Sequence, residues 1–259
     1  MTLPLELIRD GQPVDASFAA AFEQELPAIS SSIDSFLGPA ERAYLETLQF
    51  PLRRNHYLLG RYAAKQALRA CLKTPDILEV EVLKGVFEQP VVLTPLKVTA
   101  EISIAHSKGV GVAVACRAGH PIGIDVEWLD NGKAEFLASC LSAQEEKLVA
   151  QSAQSAPATR YLIWTIKEAL SKALRCGLMT PFEILEISTL LGLSPKSWTA
   201  QFRNFAQYKA HSWLIDRYFL SLVIPKNTEV VFSPAALLPH LAAASGTLDQ
   251  VRPSDSEPE

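Results

Sequence analysis

Gly123-Ile124-Asp125-Val126-Glu127-Trp128 is the stretch from which the rest of the chain can be read. Side chains alternate across a strand, so Ile124, Val126 and Trp128 share one face and Asp125 and Glu127 share the other. Downstream, Trp164-Thr165-Ile166-Lys167-Glu168-Ala169-Leu170-Ser171-Lys172-Ala173 reads as a helix with Glu168 and Lys172 one turn apart on one face. Taken singly, the first motif is usually a solvated sheet face and the second a surface ion pair. Together they offer three carboxylates and a cation. That set suits a hard divalent ion, Mg²⁺, gripping a phosphate-bearing substrate, because Mg²⁺ prefers oxygen ligands and needs only a few carboxylates beside phosphates and waters.

The 259 residues, 48% of them hydrophobic, can bury a sizeable core as one large domain or two packed subdomains. A net charge of −4 argues against a globally cationic nucleic-acid binder, and no nucleic-acid partner is expected. Cys71, Cys116, Cys140 and Cys176 lie far apart with no zinc-site spacing, which predicts reduced, mostly buried thiols. The N-terminus lacks the features of a secretory signal and no apolar run is long enough to span a bilayer, so a cytoplasmic location without a membrane partner is expected.

Working outward, residues 1–38 read as an N-terminal arm. Helices are predicted over Ala40 to Leu48 and Asn55 to Leu72, then strands over Leu78 to Leu83, Glu101 to Ala105, Val110 to Ala115 and Ile122 to Trp128. The short link Gly119-His120-Pro121 makes the last two antiparallel neighbours, a β-meander. The order then recurs: helices near Ser142 to Gln151 and Ala158 to Cys176, strands near Glu183 to Leu190, Gln207 to Leu214 and Tyr218 to Ile224. Lys65-Gln66-Ala67-Leu68 echoes Lys167-Glu168-Ala169-Leu170, and Tyr218 to Ile224 echoes Val110 to Ala115. The expectation is an α+β protein of two pseudo-symmetric halves, 39–118 and 119–226, each a small antiparallel sheet packed with helices. The extension 227–259 holds one more helix around Ala235 to Ala244 and is expected to be disordered after 245.

Candidate phosphate anchors lie in the first half. His106 ends a strand beside the turn at Lys108-Gly109, and Arg54 and Arg61 recur on one helix face next to Arg53. Arginine is shaped for bidentate phosphate contacts, although a solvated basic face has the same spacing.

Leu59-Gly60-Arg61, Ile104-Ala105-His106-Ser107, Pro121 to Glu127 and Trp164 to Ala173, ending in Gly177-Leu178, together resemble the surfactin-type 4′-phosphopantetheinyl transferases in order and separation. The resemblance covers roughly Pro39 to Ile224, and the Arg53 to Arg61 block is similar to that of members attached to siderophore-type synthetases. It implies Mg²⁺-dependent transfer of the 4′-phosphopantetheine arm of coenzyme A to a serine of an acyl, peptidyl or aryl carrier protein, releasing adenosine 3′,5′-bisphosphate. It further implies that Asp125, Glu127 and Glu168 hold Mg²⁺, that Glu168 helps deprotonate the serine, and that Lys172 steadies the diphosphate. Arg53, Arg61 and His106, assisted by Arg54, would bind the nucleotide end. Trp164 is expected to pack and orient its helix rather than bind. Glu41 and Tyr44 stand where some relatives place lysines, and Gln89-Pro90 where a basic residue often precedes proline. A monomer is expected. The competing readings are a non-catalytic module binding carrier protein or coenzyme A, and a phosphopantetheine hydrolase with the same metal site.

Overall fold

The computed structural model describes residues 1–250 except residue 131, with side-chain surroundings left out for 134, 178 and 245–250. The chain opens with strands β1 (Thr2–Leu3), β2 (Leu5–Arg9), β3 (Gln12–Val14) and β4 (Ala16–Phe22). Helices α1 (Leu26–Ser31), α2 (Pro39–Thr47) and α3 (Pro51–Leu72) follow, then β5 (Glu81–Lys84), β6 (Pro90–Leu93), β7 (Ala100–Ser107) and β8 (Val110–Arg117). The second part runs β9 (Gly123–Trp128), α4 (Ala134–Ser139), α5 (Ala143–Gln151), α6 (Ala156–Ala173), β10 (Ile187–Ser194), β11 (Ser197–Phe202), β12 (Tyr208–Ile215), β13 (Tyr218–Pro225), β14 (Thr228–Phe232) and α7 (Leu238–Gln250). Antiparallel pairing arranges them as β1-β4-β8-β7 and β10-β11-β12-β13-β9, with smaller sheets β14-β2-β3 and β5-β6.

Alternation along the strands sets the layers. Phe18, Ala20, Phe22, Val112 and Val114 of the first sheet share a core with Ile124, Val126, Trp128, Leu220 and Leu222 of the second. The first sheet's other face offers Ala19, Ala21, Ala113 and Ala115 to Leu59, Ala63 and Ala67 of α3. The second sheet's other face seats Leu162, Ile166 and Ala169 of α6 on Phe219 and Val223. Each helix therefore covers its own sheet, and the two sheets bury their remaining faces against each other.

The halves repeat in topology. β4, α2, α3, β7 and β8 correspond to β9, α5, α6, β12 and β13, with matching strand orders β4-β8-β7 and β9-β13-β12. The echo between Lys65 and Lys167 is structural. Glu41 accepts from the backbone N–H of Gly38 at 2.9 Å and of Val82 at 3.1 Å, and pairs with Lys65 Nζ at 2.6 Å. Glu145 accepts from the N–H of Ser142 at 2.9 Å and of Ile187 at 3.0 Å, and pairs with Lys167 Nζ at 2.9 Å. In both halves one buried carboxylate caps a short helix, catches the following strand and grips the long helix. Removing one partner of a buried pair strands the other charge. Lys167→Met and Lys65→Met are each expected to lower stability by about 3–5 kcal/mol in urea denaturation. A loss below about 1 kcal/mol, the level of an exposed pair, would contradict that role.

Several expectations change. Residues 1–38 are not only a lead-in: β4 pairs with β8 along its length, from Ala16↔Cys116 to Phe22↔Val110. With β4 on one edge and β7 on the other, β8 has no free edge. The meander therefore fails, and β9 crosses to the second sheet to pair with β13. Glu41, in place of a phosphate-binding lysine, is fully buried in the ion pair above. At the C-terminus α7 extends to Gln250, inside the run expected to be disordered, and 251–259 lie outside the described residues. All four cysteines are free, two of them buried, and no described helix is long and apolar enough to cross a membrane.

Candidate active site

β7 and β9 lie side by side where the two sheets meet, but serine hydroxyls stitch them where a backbone ladder would otherwise run. Ser103 Oγ accepts from the N–H of Ile124 and Ser107 Oγ from that of Trp128, both at 3.0 Å. β9 turns Asp125 and Glu127 away from the shared core toward α6. Asp125 is buried, and its Oδ1 accepts from Lys172 Nζ at 2.7 Å while its Oδ2 is buried without a partner. Glu127 Oε2 accepts from Ser107 Oγ and Oε1 from Trp164 Nε1, both at 3.3 Å.

Electrostatics ties these groups together. Burial raises the pKa of Asp125; the Lys172 ammonium opposes this and the Glu127 and Glu168 charges add to it. Burial likewise raises Glu168, with Lys172 opposing and Glu127 reinforcing. Asp125 and Glu168, both raised and both beside the Glu127 charge, are short of positive charge. Among the described residues no group of three or more His, Cys, Asp or Glu is gathered closely enough to hold a metal by itself. The ammonium of Lys172 is the cation now against Asp125. The donor set nevertheless fits Mg²⁺: every side-chain ligand offered is an oxygen, Asp125 Oδ2 is orphaned, and this ion completes its shell with water and phosphate.

The basic candidates gather one step away. Arg53, Arg61 and His106 line a cavity of about 460 Å³ with His56, Tyr44 and Tyr57. Arg61 is buried, its Nε 3.6 Å from Glu41 Oε1 and its guanidinium over the Tyr57 ring at 4.9 Å, while neither Nε nor Nη1 has a hydrogen-bond partner. Arg54 does not join them. It donates to the carbonyl of Leu45 at 2.9 Å, closing the end of α2. His106 stacks on His56 with ring centroids 4.6 Å apart. Although the His106 ring is open to the cleft, desolvation by the walls, then the His56 and Lys172 charges, hold its pKa below the usual histidine value. His56 and His106 also line an adjoining cavity of about 490 Å³ that reaches Ser107, Lys108, Lys133 and Glu127. The two cavities share His56 and His106 as lining, with Arg61 in one and Glu127 of β9 in the other.

Sequence reasoning missed His56, Ser107 and Lys133. His56 stands three residues after Arg53 on the same helix, a spacing that could have been noticed. Ser107 directly follows His106, but its contact with Glu127 crosses between halves and leaves no trace in spacing. Trp164 does pack, stacked on Phe182 at 4.8 Å, and its indole N–H also reaches Glu127.

Residues 121–223 match the family model ACPS, the 4′-phosphopantetheinyl transferase superfamily. The matched segment contains β9, α6 and all four residues of the acid–lysine cluster. No curated protein matches the chain significantly. Among solved structures, the chain is similar to a holo-(acyl-carrier-protein) synthase from Bacillus anthracis str. Ames in complex with CoA (3′,5′-ADP), at 20% identity and TM-score 0.37, covering 43% of this chain and 96% of that one. It is also similar to a holo-ACP-synthase from Plasmodium yoelii, at 19% identity and TM-score 0.36, covering 44% and 97%. A third is the Chronobacterium ammoniagenes ACPS-CoA complex, at 16% identity and TM-score 0.34, covering 44% and 97%.

Proposed function

We propose that this protein transfers the 4′-phosphopantetheine arm of coenzyme A to a serine hydroxyl of an apo carrier protein, acting as a cytoplasmic monomer that requires Mg²⁺. The observation that carries the reading is the cluster of Asp125, Glu127, Glu168 and Lys172, with Glu127 lining one cavity and Arg53 and Arg61 lining the cavity next to it. A substrate with a diphosphate and a separate phosphate matches that spread of charge.

In the reaction the serine oxygen forms a bond to the β-phosphorus as the bond to the bridging oxygen breaks, leaving adenosine 3′,5′-bisphosphate with the electron pair. Arg53 and Arg61 bind the nucleotide's phosphate as fixed cations beside His106. Glu168, whose burial makes it a stronger base than an exposed carboxylate, takes the serine proton. Lys172 moves its charge between Asp125 and the diphosphate, stabilising the negative charge that grows on the leaving oxygen. Mg²⁺, held by Asp125, Glu127 and Glu168, supplies the remaining charge neutralisation when bound.

The test incubates the protein with coenzyme A, Mg²⁺ and a panel of apo carrier proteins and weighs the carriers by mass spectrometry. Gain of the phosphopantetheine mass, lost when EDTA is added, is expected. No gain with any carrier, or a stable complex without covalent product, overturns the proposal. Release of free phosphopantetheine from a loaded carrier would point to hydrolysis instead.

A further inference from the structure

Ser107 belongs to β7 in the first half, yet its hydroxyl touches an acid of the second. A hydroxyl has one proton and two acceptor lone pairs. With the N–H of Trp128 on a lone pair at 3.0 Å, the rotor is held so that the proton points to Glu127 Oε2 at 3.3 Å. On the other side the Trp164 indole N–H points to Oε1 at 3.3 Å. Glu127 is thus gripped from both halves, each oxygen keeping lone pairs for another partner.

We propose that Ser107 is a positioning residue that aims the Glu127 carboxylate at the magnesium, so that this carboxylate is in place only when the two halves are correctly seated. The inference rests on the reading of Glu127 as a magnesium-holding acid. Groups that hydrogen-bond to a ligating carboxylate fix its orientation, and their loss weakens metal affinity. Ser103 supplies an internal comparison. Its hydroxyl makes the same stitch to β9, accepting from Ile124, and no hydrogen bond joins it to an acid of the cluster.

The experiment titrates Mg²⁺ calorimetrically into full-length protein saturated with coenzyme A. Ser107→Ala is expected to weaken Mg²⁺ about 10–100-fold, leave coenzyme A affinity in EDTA unchanged, and raise the Mg²⁺ concentration needed for half-maximal transfer. Ser107→Thr, which keeps the hydroxyl, should restore most of the affinity. Ser103→Ala should lower the melting temperature yet leave Mg²⁺ affinity as in the wild type. Should Ser107→Ala fail to fold, Ser107→Cys, a weaker donor of similar size, should give an intermediate loss. Wild-type Mg²⁺ affinity in Ser107→Ala or Ser107→Cys overturns the assignment, as does an equal loss in Ser103→Ala. Glu127→Gln separates the two levels. If it weakens Mg²⁺ and Ser107→Ala does not, only the role of Ser107 falls; if Glu127→Gln also binds as the wild type, the reading of Glu127 falls with it.

Discussion

Glu168→Gln should lower arm transfer by about 10²–10⁴-fold, the range of a general base, in a protein that melts where the wild type does. Glutamine keeps the side chain's volume and its place on α6 but removes both the charge and the basicity. The fold loses little because Glu168 makes no ion pair among the described residues, and burial already disfavours its ionised form. The sign of the pH dependence follows. A carboxyl held above its ordinary value stays protonated further up the acid range, so in the metal-free protein Glu168 takes up its proton at a higher pH than an exposed glutamate would. With its pKa raised in the folded state, Glu168 binds a proton more readily folded than unfolded. Its contribution is therefore favourable at acid pH and is lost as pH rises through the folded value. Stopped-flow transfer rates and melting curves across pH check both, and an unchanged rate in Glu168→Gln would remove its role as base.

What could be read from the chain and what could not divide along physical lines. β9 and α6 were legible because each presents one apolar and one charged face, and their periods differ. β4 was not, because Ala16–Phe22 is sandwiched between α3 and the shared core, and a strand buried on both faces shows no alternation. Missing β4 led directly to the mistaken meander, since only a strand on that edge of β8 forces β9 elsewhere. Helical spacing also paired Arg54 with Arg61, whereas the open carbonyl of Leu45 at the end of α2 captures Arg54 and leaves Arg53 to the cleft. Glu41 carried a readable signal in its position within the first turn of α2, matched by Glu145 in α5. Reading it as a replaced lysine hid the duplication it marks.

Gly123→Ala should reduce the turnover number by about 10²-fold, because a shift near 1 Å in catalytic groups can cost that much. A Cβ at Gly123 would lie 1.9 Å from the carbonyl oxygen of Ala169 and 2.6 Å from the backbone nitrogen of Ala173. Both obstacles are backbone, so no side chain can swing aside; β9 and α6 must part until the contact reaches at least 3.0 Å. Those are the elements carrying Asp125 and Glu127 on one side and Glu168 and Lys172 on the other, so the acid–lysine cluster opens. Overpacking of this kind costs about 1–3 kcal/mol, and rigid obstacles favour the upper end. Gly111 of β8 makes a comparably close contact in the first half, where a Cβ would lie 2.6 Å from the carbonyl carbon of Leu59 on α3. Gly111→Ala should shift α3 and with it Arg53, His56 and Arg61, raising the KM for coenzyme A more than it lowers kcat. A kcat–KM comparison of the two variants, with melting curves alongside, tests whether α6 and α3 divide chemistry from nucleotide binding. Equal patterns in both, or wild-type turnover in Gly123→Ala, would mean that the close approach of helix to strand does not position the reacting groups.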